Sequence, residues 1–206
     1  MVEGATVAVP SGEAALSPVE AAFSDVDGYA IAAIAKREQR ASGTFLPGLQ
    51  YGEVRPRAFS TALAWLAPRD GETFVDLGSG TGKATLTAAA LYRFASATGV
   101  EILEPLHNAA LGALRACGQL RTPQVCLLNA DAFDHPWHDA DVVYVNAACF
   151  TDEMVRRIES GARKLRRGAR LLITTRALAS AALRLLRRET LPCAKGSLLF
   201  IAYERV

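Results

Sequence analysis

The sequence predicts an α/β domain built on a mostly parallel β-sheet with helices on both faces, and three observations lead there. From residue 73 onward, short apolar runs alternate with runs of helical period. The apolar runs are nearly continuous, as in strands buried on both faces. Between the first run and the first helix lies Gly78-Ser79-Gly80-Thr81-Gly82, with glycine at every second position. Parallel strands need a crossover of a dozen or more residues, usually a helix, and this alternation supplies it.

The elements follow in order. Residues 1–15 are small, polar and aperiodic, and are expected to be disordered. Ser17-Pro18-Val19-Glu20 reads as a capping box with proline at the first helical position. A second helix is expected over 28–40, where Ile31, Ile34 and Ala35 share one face. A loop over 43–48 leads to Gln50-Tyr51-Gly52-Glu53-Val54 and a third helix over 56–66. Strands are expected at 73–77, 97–101, 124–128, 141–146 and 170–175, and helices at 83–95, 105–118, 152–165 and 177–188. The chain closes on the apolar run Ser197 to Tyr203, after a short turn around Lys195-Gly196 that lets this strand insert antiparallel. The chain thus divides into a disordered stretch (1–15), a helical segment with a covering loop (16–70) and a sheet-bearing core (71–206).

Length and composition fit one soluble domain: 206 residues, 50% hydrophobic and 21% charged. No apolar run reaches the roughly 18 residues of a membrane helix. No basic stretch precedes an apolar core at the N-terminus, so neither a signal peptide nor a membrane partner is expected. Cys117, Cys126, Cys149 and Cys193 form no CxxC pair, which predicts reduced thiols in an intracellular compartment and no metal centre. The net charge of +2 hides an asymmetry, because residues 151–206 carry 13 basic against 5 acidic side chains. Arg156, Arg157, Arg163, Lys164, Arg166, Arg167 and Arg170 form a basic stretch. It is either a solvated face or a weak nucleic-acid contact across 156–170.

Three cofactor signatures compete for the glycine loop. A phosphate-binding P-loop needs G-x-x-x-x-G-K-[ST], but positions 77 and 84 are Leu and Ala. The dinucleotide fingerprint G-x-G-x-x-G meets Lys83 where its third glycine belongs. S-adenosyl-L-methionine carries no phosphate; it needs an acid for its ammonium, close backbone for its amino-acid end and an acid for its ribose. Asp76 ends the first strand, Gly78, Ser79, Gly80 and Gly82 supply the approach, and Glu101 ends the next strand. Asp131 and Phe133 follow the third strand and suit adenine. After the fourth come Asn146 and Phe150, at the sheet end where such folds place chemistry. The bland alternative makes Asn146 a turn residue and Phe150 core.

The pattern resembles the disruptor-of-telomeric-silencing (Dot-one) histone-lysine methyltransferases and their shorter relatives. The resemblance rests on Tyr51-Gly52-Glu53-Val54, Phe74 to Gly82, Gly99-Val100-Glu101 and Val142 to Phe150, and covers about residues 50–206. It implies a Rossmann-like class I methyltransferase with a seven-stranded sheet and S-adenosyl-L-methionine as cofactor. It implies that Tyr51, Gly52 and Glu53 close over the cofactor, and that Asp76, Gly78, Gly80 and Glu101 hold its tail and ribose. Asp131 and Phe133 would hold adenine, Asn146 would line the transfer site, and Phe150 would wall the lysine channel; Asn146, Phe150 and Tyr51 are the implied catalytic residues. Relatives often carry an aromatic residue near Pro192-Cys193. The implied partner is a protein lysine, on a histone or nucleosome. The implied location is nuclear if the source is eukaryotic and the target a histone, otherwise cytoplasmic. Two alternatives stay open: a class I methyltransferase for a small molecule or RNA, and an inactive cofactor-binding regulatory domain. No strong base is required. His107, His135 and His138 are the candidates should one exist, although His135-Pro136-Trp137-His138 reads as a surface turn. Lys83 reads as a first-turn helix residue.

Overall fold

The structure is a computed structural model that describes residues 12–43, 51–193 and 196–206. Three helices, α1 (Gly12–Ala22), α2 (Gly28–Ala41) and α3 (Pro56–Ala64), precede the sheet. Then follow β1 (Thr73–Leu77), α4 (Lys83–Leu91), β2 (Ser96–Glu101), α5 (Glu104–Cys117), β3 (Val125–Asn129) and β4 (Val142–Val145). A short 3-10 turn (Ala147–Cys149), α6 (Asp152–Ala162), β5 (Arg170–Thr174), β6 (Leu183–Pro192) and β7 (Ser197–Arg205) complete the described chain. The seven strands form one sheet in the order β3-β2-β1-β4-β5-β7-β6. Strands β1 to β5 pair in parallel, and β7 inserts antiparallel between β5 and β6.

The pleat sends alternate strand residues to two cores. On one face Phe74, Tyr144, Leu172 and Phe200 pack with Phe59 and Leu63 of α3 and with Ala84 and Ala88 of α4. On the other, Val75, Val143, Ile173 and Ile201 pack with Val155, Ile158 and Ala162 of α6. Burying each such side chain contributes about 1.5–3 kcal/mol. Outside α4 and α5, Val19 of α1 and Phe23 just after that helix add a third cluster.

Three expectations are corrected. Helix α1 begins at Gly12, not Ser17, so residues 12–15 are helical and Pro18 lies inside the helix. Alanine and glutamate favour helix, and Leu16 and Val19 are buried by the same helix face. Residues 1–11, the loop at 44–48 and the turn residue Lys195 lie outside the described residues. The segment 177–188 is not a helix; β6 runs Leu183–Pro192 and pairs with β7 from Leu183↔Arg205 to Pro192↔Ser197. The apolar strand β7 needs a partner on each edge, and that demand outweighs the helical propensity of an Ala-Leu-Arg run. Finally, Trp137 is buried, not part of a surface turn. Its indole lies against α6, where a Cβ on Gly161 would stand 2.2 Å from Trp137 Cζ2. Gly161→Ala is therefore expected to cost about 1–3 kcal/mol through overpacking. An unchanged midpoint in urea denaturation would refute this packing.

The strand order reverses between β1 and β4, whose neighbours extend in opposite directions along the sheet. Open α/β sheets bind ligands at the carboxyl ends of the strands beside such a point.

Candidate active site

A cavity of about 240 Å³ opens at the carboxyl ends of β1, β2 and β4. It is lined by Tyr51, Gly52, Glu53, Asp76, Gly78, Ser79, Gly80, Glu101, Asp131, Phe133, Asn146 and Phe150, all but one of the residues selected from sequence. The exception is Gly82, which has φ +80 and caps the N-terminus of α4. Its missing Cβ makes room for Ala110 of α5, and it does not line the cavity.

The glycine loop is tied to the sheet. Gly78 and Ser79 both donate N–H to Val100 O at 2.9 Å, and Gly82 donates to Ser79 O at 2.9 Å. Gly80 donates to Glu101 Oε2 at 2.8 Å, while Leu103 donates to Glu101 Oε1 at 2.8 Å. Four N–H groups that a phosphate would need are thus engaged, and two carboxylates face the loop. This arrangement repels phosphate, which gives a structural reason for the departures at Leu77, Lys83 and Ala84. Burial pushes the Glu101 carboxyl up, while its backbone donors pull it back down.

Asp76 is 1% exposed. Its Oδ2 accepts from Thr85 Oγ1 at 2.7 Å, and its Oδ1 has no hydrogen-bond partner among the described residues. Burial pushes its carboxyl up to about 7, with the neighbouring Glu101 charge adding to the rise and the Thr85 hydrogen bond opposing it. A half-satisfied buried carboxylate suits a cationic ligand group.

The segment before α3 closes over the cavity. Tyr51 donates its hydroxyl to Glu53 Oε1 at 2.7 Å and stands 3.2 Å from Thr81 Oγ1. Glu53 Oε2 pairs with Lys83 Nζ at 2.9 Å, in a bridge only 16% and 11% exposed. The Tyr51 ring packs edge-on against Tyr29 at 5.4 Å and lies over Gly80, where a Cβ would meet it at 2.7 Å. Burial, with Glu53 beside it, pushes the Tyr51 phenol far above its ordinary value. The Tyr51 hydroxyl thus stays protonated near neutral pH.

Asn146 binds the cover to the sheet. Its Nδ2 donates to Gly52 O at 2.8 Å, and its Oδ1 accepts from Thr174 Oγ1 at 2.7 Å. Asn146 and Thr174 lie one step beyond the last paired residues of β4 and β5, Val145 and Ile173. Asn146 also caps the 3-10 turn, its side chain accepting from Ala148 N, as the turn reading expects. Phe150 reaches across to Gly78, 3.7 Å from the place of its Cβ, and lies 6.3 Å from the Phe133 ring. Asp131 Oδ1 accepts from Phe133 N at 2.8 Å, which fixes the ring despite the intervening Ala132. Arg157 stacks its guanidinium 4.1 Å from the Phe133 centroid.

Sequence reasoning missed Lys83, Tyr144, Arg157 and Thr174. Tyr144 was hidden in an apolar strand run, and only its hydroxyl set it apart. Thr174 had a usable signal, the end of a strand beside Asn146. His107, His135 and His138 do not line the cavity. Arg170 does not belong to the basic surface stretch: it is 8% exposed and bonds Leu66 O, Ala67 O and Glu72. Arg156, Arg163 and Arg166 pair with Glu153, Glu159 and Asp141. All four cysteines are free. Among the described residues no group of three His, Cys, Asp or Glu could hold a metal, and no helix is long and apolar enough to cross a membrane.

Comparisons with known proteins agree with this geometry. No curated protein sequence matches the chain significantly. Among solved structures, TrmN from Thermus thermophilus aligns with a TM-score of 0.63 and 19% identity, over 77% of this chain and 51% of its own. The chain thus spans about half the length of that relative. An RNA methyltransferase from Salinibacter ruber, solved with S-adenosyl-L-homocysteine, gives 0.62 and 17%, over 75% of this chain and 94% of that one. Magnesium protoporphyrin IX methyltransferase from Synechocystis PCC 6803, solved with S-adenosylmethionine, gives 0.59 and 15%, over 88% and 98%. These likenesses place the fold among class I methyltransferases. The profile of the family described as histone methylation protein DOT1 matches residues 43–193, which include the covering loop, the glycine loop, Asn146 and Phe150. The chain belongs to the DOT1 histone methylation protein family.

Proposed function

We propose that the protein is an S-adenosyl-L-methionine-dependent methyltransferase that methylates the side-chain amine of a protein lysine. The observation that carries the reading is the joint between cover and sheet, in which Asn146 holds Gly52 over the cavity at the carboxyl end of β4. Membership of the DOT1 family supports the lysine acceptor.

The site fits the cofactor on its own atoms. Asp76 Oδ1 is an unpaired buried acceptor for an ammonium. Glu101 is held by two backbone donors with lone pairs left for ribose hydroxyls. Phe133, stacked under Arg157, offers a plate for adenine. When bound, S-adenosyl-L-methionine supplies a methyl group on a sulfonium sulfur, already activated for transfer to an amine.

What remains for the protein is alignment, which contributes on the order of 7–11 kcal/mol in well-oriented systems. Asn146, fixed from both sides by Gly52 and Thr174, sets the edge of the acceptor site. An incoming lysine must be neutral, which costs about 4–5 kcal/mol at pH 7 for an ordinary amine. Phe150 and Phe133 lower that cost, because aromatic walls solvate an ammonium less well than water does. Tyr51 keeps its proton and so does not take one from the amine.

One observation favours a second reading. Arg157 lines the cavity, and a cation there suits an RNA acceptor, the substrate class named for the Salinibacter ruber protein. Incubation with radiolabelled S-adenosylmethionine and nucleosomes, free histones, total RNA or whole lysate separates the readings. Label on a protein band, sensitive to lysine blocking, is the expected outcome. Label on RNA alone would establish the second reading. Cofactor binding without label on any acceptor would leave a regulatory domain.

A further inference from the structure

Two side-chain oxygens in this cavity's lining residues are buried without a hydrogen-bond partner among the described residues, Asp76 Oδ1 and Tyr144 Oη. They are neighbours by construction. Asp76 and Tyr144 are paired residues of β1 and β4, so their side chains leave the same face of the sheet. The Tyr144 ring is locked by edge-on packing against Phe59 at 4.7 Å, and the residue is 1% exposed. Native interiors leave few such atoms unsatisfied, and two on paired positions of one cavity call for a ligand. A phenylalanine would fill the same core space without the hydroxyl.

The third polar group on this side is Lys83. Its Nζ uses one donor on Glu53 and lies 5.0 Å from the Phe23 ring centroid. An ammonium carries three donors, so donor capacity remains. Asp76, Lys83 and Tyr144 all line the cavity, together with the apolar Val54 and Ala84. An acceptor, a cation and a neutral hydroxyl together match a zwitterion. The Tyr144 phenol, buried and beside the Asp76 carboxylate, keeps its proton and can only donate to an anion.

Resting on the cofactor reading above, we propose that Tyr144 and Lys83 bind the carboxylate of the cofactor's amino-acid end while Asp76 binds its ammonium. Tyr144 is thereby a specificity residue that distinguishes an intact amino-acid end from one lacking its carboxylate. The adenosyl half of the ligand, held by Glu101, Asp131 and Phe133, is indifferent to this group.

The test is calorimetric binding of three ligands to wild type and Tyr144→Phe. These are S-adenosylmethionine, its decarboxylated form, and 5′-methylthioadenosine, which has no amino-acid end. Wild type is expected to bind the intact cofactor most tightly. Tyr144→Phe should lose about tenfold on it, as for a hydrogen bond to a charged group, and nothing on the other two. Retained methylthioadenosine binding shows that the variant is folded. Thermal melting of the ligand-free proteins adds a readout of opposite sign. Removing an unsatisfied buried hydroxyl should raise the variant's melting temperature by about 2–4 °C, whereas a structural hydroxyl would lower it. Equal affinity of the two proteins for intact S-adenosylmethionine would overturn the proposal, as would equal losses on all three ligands. Failure of wild type to bind any of the three would instead overturn the cofactor reading itself.

Discussion

Asn146→Ala is expected to lower kcat about 100-fold while changing cofactor affinity only a few-fold. The side chain has two bonds to lose. Its Nδ2 holds Gly52 O at 2.8 Å, and its Oδ1 takes the Thr174 hydroxyl at 2.7 Å. Truncation leaves both partners without this bond and frees the cover from the carboxyl end of β4. A displacement of about 1 Å in an aligned site is enough for a 100-fold loss. Cofactor affinity is less affected because Asp76, Glu101 and Phe133 are positioned by other contacts. Asn146→Asp sharpens the prediction. It can still accept from Thr174 but cannot donate to Gly52, and its charge would face a carbonyl. If the hold on Gly52 is what matters, Asp is as damaging as Ala. Single-turnover rates close to wild type for Asn146→Asp would show that the cover does not depend on this bond.

Asp76→Asn is expected to weaken S-adenosylmethionine binding about 100-fold above pH 8, near the upper end for a hydrogen bond to a charged group. The same change should stabilise the ligand-free protein. Burial raises the Asp76 carboxyl from an ordinary 3.8 to about 7. Between those values the folded chain holds a proton that the unfolded chain releases, so stability falls as pH rises through this window. Three units at roughly 1.36 kcal/mol each give a penalty of about 4 kcal/mol above pH 7, and asparagine does not carry it. The variant's gain should therefore be large at pH 8 and nearly absent at pH 4. Ligand affinity runs the other way. An ammonium needs the ionised carboxylate, so wild-type affinity should drop about tenfold per unit below pH 7, while the variant's stays flat. A wild-type affinity that does not change between pH 5.5 and 8 would show that Asp76 does not face the ammonium.

Much of this site could be read from sequence because its residues sit where the fold's own rules put them. Asp76 and Glu101 lie in the last residues of β1 and β2, and Asp131 and Asn146 just past β3 and β4; a parallel sheet brings those ends together whatever the helices do. Tyr51 to Glu53 could be placed only through family resemblance, since no local pattern says that a segment before α3 returns to the glycine loop. The failures share another cause. The run at 177–188 has good helix formers, but the open edge of β7 decided its conformation, and that edge is created by residues more than ten positions later. Trp137 sits in a turn-like tetrapeptide, yet Gly161 opens a slot for its indole from the following helix. Lys83 was assigned to its own helix correctly, but its charge is used by Glu53, thirty positions away. Periodicity reports the local chain; these residues take their roles from distant partners.

The interlocked cover has a kinetic consequence. Gly28, at the start of α2, lacks a side chain where one would collide with both Glu53 and Tyr51. Tyr51, Gly52 and Glu53 are further held by Thr81, Asn146 and Lys83. With three neighbouring residues anchored to three partners, the segment is expected to open as a unit, and hydrogen exchange of its amides would show one common opening rate. Exchange of spent for fresh cofactor then waits on that opening. If that opening is slow, release of the spent cofactor rather than bond-making is expected to limit turnover. Burst kinetics, with one methyl transferred quickly per site before a slower steady rate, would be its signature.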